Sequence, residues 1–70
     1  MGEPALSNQL KEARTELGLT QAELAERIGV SRKTINTVEN GVFVPSTILA
    51  LKLAAALGRR VEELFRLESK

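Results

Sequence analysis

One face of a predicted short helix, from Ser31 to Asn40, carries side chains that form hydrogen bonds, and none of them is acidic: Arg32, Lys33, Asn36, Thr37 and Asn40. When each residue advances by roughly 100°, as in an α-helix, the apolar Ile35 and Val38 fall on the opposite face. The apolar face would pack in a core, and the polar face would be free to meet an anion. Because many surface helices have a polar face, this pattern needs support from the neighbouring residues.

The preceding residues have the signals of another helix and a tight turn. Thr20 and Glu23 fit a capping box, in which each side chain satisfies a backbone N–H of the other residue. Gly29 would end that helix, since glycine adopts the left-handed conformation without steric cost, and Ser31 would cap the next one. Only about three residues then connect the two helices. This arrangement predicts a DNA-reading unit from Thr20 to Gly41.

The chain resembles helix-turn-helix domains of the lambda-repressor and Cro type, often called the Xre family. The resemblance runs from Leu10 to Phe65, in LKEARTELGLTQAELAERIGVSRKTINTVENG and VPSTILALKLAAALG. Its most specific parts are GLTQ followed by ELA, then GVS, then ENG. The resemblance implies a sequence-specific, double-stranded DNA-binding transcriptional regulator. It also implies a repressor that reads the major groove of a short inverted-repeat operator as a homodimer.

The resemblance assigns roles to individual residues. Gln21 and the N-terminus of its helix would contact a DNA phosphate. The alternative is that Gln21 is only an exposed residue at the first position of the helix. Arg32 and Lys33 would enter the major groove and donate to guanine O6 and N7. Thr37 would touch a thymine methyl or a phosphate, and Asn40 would bind a phosphate or cap its helix. The full predicted DNA-binding set is Gln21, Ser31, Arg32, Lys33, Asn36, Thr37 and Asn40.

Two further expectations concern the surroundings of the recognition helix. The resemblance implies a structural ion pair between Arg14 and Glu39, for which the alternative is two separate surface charges. The loop Val42-Phe43-Val44 departs from the family pattern, which often has a lysine or arginine directly after the glycine. We expect Phe43 to pack on the core, with contact to the sugar-phosphate backbone as the alternative.

The remaining pattern predicts a compact, five-helix, all-α domain that spans residues 1–70. A first helix from about Ser7 to Leu17 would place Leu10, Ala13 and Leu17 in the core. The second and third helices form the helix-turn-helix, at about 20–40. The fourth would begin after an N-cap at Ser46 and end at Leu57, and a short fifth helix would cover about 61–66.

The predicted fourth helix is apolar on nearly all sides. One of its two apolar stripes can face the core of the domain. The first stripe consists of Ala50, Leu53, Ala54 and Leu57, and the second of Ile48, Leu51 and Ala55. A small domain lacks the mass to cover both stripes, so a second subunit would cover one of them. The predicted dimer interface is Leu51, Phe65 and Leu67. Full burial within one chain is the alternative.

Composition narrows the function further. The net charge is only +1, which is low for a strong nucleic-acid module, so affinity would depend on local placement of cations. The chain lacks cysteine and histidine, which excludes disulfides, thiolate metal sites and histidine-activated serine chemistry. We therefore expect no enzyme activity, no metal, no cofactor and no small-molecule ligand.

No apolar run is long enough to span a bilayer, and no signal peptide is recognisable, which predicts a cytoplasmic protein without membrane contacts.

A protein-interaction or antitoxin-like module on the same scaffold is the alternative function. Such a module would use another protein as its main partner. The little sequence after Phe65 leaves scant room for a toxin-binding or ligand-sensing region, which favours DNA binding.

Overall fold

The chain is described by a computed structural model that covers residues 5–68, so the predicted contributions of residues 1–4, 69 and 70 to the domain lie outside the described residues. The elements in chain order are β1 (Ala5–Asn8), α1 (Leu10–Glu16), α2 (Gln21–Ile28), α3 (Arg32–Glu39), α4 (Thr47–Leu57), α5 (Val61–Leu64) and β2 (Phe65–Glu68). The fold is mainly helical, which confirms the predicted all-α class. A small two-stranded sheet accompanies the five helices.

The boundaries of the helix-turn-helix follow the local signals. The Thr20 hydroxyl accepts from the backbone N–H of Glu23 at 3.0 Å, and the Glu23 carboxylate accepts from the N–H of Thr20 at 2.8 Å. Gly29 ends α2 with a φ of 76°. Ser31 caps α3 by accepting from the N–H of Thr34 at 3.2 Å. Local hydrogen bonding therefore fixes where both helices begin and where the turn lies.

The hydrophobic core draws one fully buried side chain from every helix: Leu10, Leu24, Ile35, Leu53 and Leu64. Smaller residues such as Ala25 allow close approach of the backbones, and Val38 adds a second core residue from α3. The core therefore holds α3 by its inner face and leaves its outer face to solvent.

The two ends of the described chain pair as an antiparallel sheet that the sequence did not predict. Leu6 lies opposite Leu67, and Ser7 lies opposite Arg66. The predicted first helix was wrong at its start, because Ser7 belongs to β1 and α1 begins only at Leu10. The predicted fifth helix was likewise too long, since the chain becomes extended at Phe65 to pair with β1.

The expectation that Leu17 belongs to the core is also wrong. Its exposed fraction is 53%, and Leu19 occupies the inward position instead. The reason is that α1 ends at Glu16 and the chain turns at Gly18, where φ is 72°. The N–H of Leu19 then bonds back to the carbonyl of Arg14 at 3.1 Å, which carries the next side chain inward.

The longest helix, α4, buries only one of its two apolar stripes. Leu53 and Leu57 are buried, whereas Ile48 and Leu51 have exposed fractions of 69% and 57%. None of the helices found in residues 5–68 has the length and apolar character needed to cross a membrane.

Candidate nucleic-acid interface

The outer face of α3 presents two long cations at its first turn. Arg32 and Lys33 are exposed, while Ile35 and Val38 on the opposite face are almost completely buried. The ion pairs formed within residues 5–68 use Arg14, Arg59 and Arg60, so no carboxylate there neutralises Arg32 or Lys33. The start of α3 therefore offers two positive charges to an external anion.

Polar groups along the same face are partly engaged within the helix. Asn40, at the C-terminal cap position, is exposed and donates from its amide to the Asn36 side-chain oxygen at 3.2 Å. Ser31 at the other end shares its hydroxyl with Thr34 at 3.0 Å besides capping the helix. Asn36 and Asn40 thus remain on the face predicted for them, whereas the Ser31 hydroxyl already has structural partners.

The hydroxyl and the carbonyl of Thr37 both form hydrogen bonds within α3 and the loop that follows it. The hydroxyl lies 3.0 Å from the carbonyl oxygens of both Lys33 and Thr34. The Thr37 carbonyl accepts from the N–H groups of Val42 and Phe43 at 2.9 and 3.2 Å. The hydroxyl proton is therefore not available to an external acceptor, and the γ-methyl group can make an apolar contact.

An ion pair joins α1 to the end of α3. The Arg14 Nε donates to Glu39 Oε2 at 2.7 Å and Nη2 donates to Oε1 at 3.2 Å, with side-chain exposed fractions of 10% and 4%. Arg14 Nη1 also donates to the carbonyl of Leu19 at 2.8 Å. The side-chain amide of Gln21 donates to Glu39 Oε1 at 3.0 Å. Glu39 thereby links α1, α2 and α3.

Asn8 is a positioning residue that sequence reasoning missed. Its amide nitrogen donates to the carbonyls of Val38 and Glu39 at 3.1 and 3.4 Å, and its amide oxygen accepts from the N–H of Leu10 at 3.0 Å. The side chain therefore caps the end of α3 while it starts α1. The only local signal is an asparagine two residues before a helix, which is typical of a turn.

The loop after α3 corrects the expectation for Phe43. Its exposed fraction is 46%, and it does not belong to the buried cluster. Because the N–H groups of Val42 and Phe43 both bond to the Thr37 carbonyl, the loop wraps around the end of α3 instead of turning into the core. Phe43 and Val42 then line a surface recess beside α3.

Comparisons with known proteins agree with this geometry. The profile of the helix-turn-helix family matches residues 10–64. An HTH-type transcriptional regulator of Methanothermobacter thermautotrophicus is 55% identical over 60 residues, with 84% of this chain and 87% of the relative covered. The HTH-type transcriptional regulator YgzD of Bacillus subtilis is 40% identical over 65 residues, with 93% and 98% covered.

A solved structure has the same fold. The restriction-modification controller protein C.AhdI of Aeromonas hydrophila superposes with a TM-score of 0.72 at 41% identity, and the match covers 77% of this chain and 78% of C.AhdI. The matched relatives are thus close to this chain in length as well as in sequence.

Proposed function

We propose a specific role for this chain, which belongs to the helix-turn-helix family of DNA-binding transcriptional regulators. In this proposal the chain binds a short inverted-repeat operator as a homodimer and represses transcription. The family acts by binding DNA and not by catalysis. The site of action would be the cytoplasm, where prokaryotic DNA lies. A dimer bound at a promoter would repress by blocking access of the polymerase.

The observation that carries the proposal is the pair of unneutralised cations at the start of α3. Arg32 and Lys33 extend from a helix whose other side is anchored by Ile35 and Val38. A helix held in this way can lie in the major groove, where Arg and Lys read the O6 and N7 acceptors of guanine. Asn36 and Thr37 would contact the same groove one turn further on.

Phosphates would be held at both ends of the motif. Gln21 is the first residue of α2, and the first N–H groups of a helix have no acceptor within it. Because the Gln21 amide nitrogen is bonded to Glu39, the side chain is held beside that helix start. Ser31 and Asn40 flank α3 and would line the path of the backbone.

The dimer would form through an apolar groove between α4 and the terminal sheet. The groove is lined by Leu6, Val44, Ala50, Leu51 and Phe65, among others. Leu67 lies two residues beyond Phe65 on the same side of β2 and has an exposed fraction of 73%. A second copy of the chain would remove Leu51, Phe65 and Leu67 from water together.

Two-fold symmetry then determines the form of the operator. Two copies of α3 would lie about 34 Å apart, one turn of B-DNA, and would read inverted half-sites. This spacing is required only if the chain binds DNA as a dimer. An inverted repeat in the operator would therefore indicate that the protein binds as a dimer.

Selection of binding sites from random duplexes tests the proposal. We expect an enriched inverted repeat and saturable binding by fluorescence anisotropy, with little binding to a scrambled duplex. Transcription in vitro from a promoter that contains the repeat should fall as the protein is added. Selection that enriches no common sequence would contradict sequence-specific binding, and a rise in transcript would contradict repression.

A further inference from the structure

We propose that the recess between α3 and its following loop holds the C5-methyl group of one thymine in each half-site, so that Val42 and Phe43 contribute to specificity. This inference rests on the proposed operator binding. The recess is lined by Ser31, Lys33, Thr34, Thr37, Val42 and Phe43. It therefore joins the cationic start of α3 to an apolar loop.

The hydroxyl groups around the recess already have partners within α3 and its N-cap. The Thr37 hydroxyl lies against the Lys33 and Thr34 carbonyls, and the Thr34 hydroxyl pairs with that of Ser31. Because the Thr37 hydroxyl proton is engaged by these carbonyls, Thr37 presents its γ-methyl group, and not a donor, to an acceptor on DNA. The recess therefore favours an apolar group over one that needs hydrogen bonds.

The loop is also poorly suited to bind a phosphate. Its first two N–H groups donate to the Thr37 carbonyl at 2.9 and 3.2 Å, so they are not available to an anion. The side chains of Val42, Phe43 and Val44 are exposed and carry no charge. The side chains of this loop can therefore contribute to DNA binding only through apolar contact.

Lys33 indicates which apolar group enters. Lys33 lines the recess, and contact of its ammonium with the guanine edge would bring the recess against the floor of the major groove. The apolar group exposed there is the thymine C5-methyl, which proteins contact with Thr methyl and Phe side chains. A methylated cytosine carries its methyl group at the equivalent position.

Replacement of thymine by deoxyuridine removes the methyl group and leaves every hydrogen-bonding atom in place. Each thymine of the selected operator is replaced in turn, in both half-sites together. Because burial of one methyl group changes a binding constant by about fourfold, we expect one symmetric pair of positions to lower affinity by roughly 16-fold. The other thymines should change affinity by less than about twofold on the same scale.

Loop variants connect that position to the recess. Phe43→Ala and Val42→Ala should each lower the thymine-to-deoxyuridine affinity ratio at this position well below its wild-type value, because each removes one apolar wall of the recess. Leu17→Ala is the matched control, because it removes another exposed apolar side chain on α1 and should leave the ratio unchanged. Circular dichroism verifies that each variant is folded. If one of the two loop variants does not fold, the other still tests the inference.

The outcomes separate the inference from the proposed function. If no operator is selected, the proposed function fails. If an operator is selected but every thymine tolerates deoxyuridine, or if the sensitive position stays sensitive in both loop variants, the inference is overturned while the function stands. Restoration of affinity by 5-methylcytosine, relative to cytosine, at the same position would support the recess independently.

Discussion

The guanidinium of Arg14 in α1 grips both carboxylate oxygens of Glu39 at the end of α3, at 2.7 and 3.2 Å. The pair is nearly excluded from water, and each partner has a further bond: Arg14 to the Leu19 carbonyl and Glu39 to the Gln21 amide. Such a network fixes the direction of α3 relative to α1 and α2. The orientation of the face of α3 that would read DNA therefore depends on the ion pair between Arg14 and Glu39.

Removal of one member of this pair should be costly. Because the remaining charge would stay buried without a partner, Arg14→Ala or Glu39→Ala should lower the free energy of unfolding by about 3–5 kcal/mol. Urea denaturation of both single variants and the double variant measures the coupling. The matched control is the exposed pair Arg60 and Glu62, which should couple by about 0–1 kcal/mol. Equal coupling in the two pairs would contradict a structural role for Arg14 and Glu39.

The helix-turn-helix was predictable because its limits are local. Thr20, Glu23, Gly29 and Ser31 act on residues no more than four positions away, so the sequence contains the whole signal. The family followed from the motifs between Leu10 and Phe65, and the mainly helical class followed from helical patterns along the chain; both are confirmed. The partly uncovered outer side of α4 also followed, from its two apolar stripes.

The sheet was not predictable by the same means. β1 and β2 have four residues each and pair across nearly the whole chain, as between Leu6 and Leu67. Neither segment has an alternating pattern long enough to indicate a strand. The roles of Asn8 and Phe43 were missed for the same reason, since each depends on contacts that only the folded chain brings together.

The turn residue Gly29 gives a prediction about stability. Its φ of 76° is unfavourable for side chains with a Cβ, although no atom would clash with one. Gly29→Ala should therefore cost about 1–2 kcal/mol through backbone conformation alone. Gly29→Asn is the matched variant and should cost less, because asparagine tolerates this conformation better. Thermal and urea unfolding measure both, and equal stability of the two variants would argue against the backbone explanation.

Specificity and phosphate binding should separate between α3 and α2. Arg32→Ala or Lys33→Ala should weaken binding to the selected operator by about 1–3 kcal/mol and should affect a scrambled duplex much less. Gln21→Ala should weaken binding to both duplexes to a similar extent, since a phosphate contact carries no sequence information. Because the substitution also removes the hydrogen bond from Gln21 to Glu39, its free energy of unfolding is measured beside its affinity. Lys11→Ala removes an exposed cation from α1 and serves as the control. Fluorescence anisotropy compares the two duplexes, and wild-type affinity in the Arg32 and Lys33 double variant would show that the face is wrongly assigned.

Dimerisation through the groove beside α4 gives the last prediction. Leu67→Glu introduces a charge at a position where the native side chain has an exposed fraction of 73%, so the folded monomer should tolerate the substitution. In a dimer the same carboxylate would be buried without a partner, which is costly. Sedimentation equilibrium should therefore show a wild-type dimer at micromolar concentration and a folded Leu67→Glu monomer with weaker operator binding.

The control for this variant is Leu17→Glu. Leu17 is also an exposed leucine, but it lies directly after α1, away from the groove, whereas Leu67 pairs with Leu6, which lines the groove. Leu17→Glu adds the same charge, and sedimentation equilibrium, not DNA affinity, makes the comparison: only Leu67→Glu should dissociate the dimer. A wild-type protein that is monomeric and binds a non-palindromic site with one-to-one stoichiometry would contradict the dimer, because two-fold symmetry requires two half-sites.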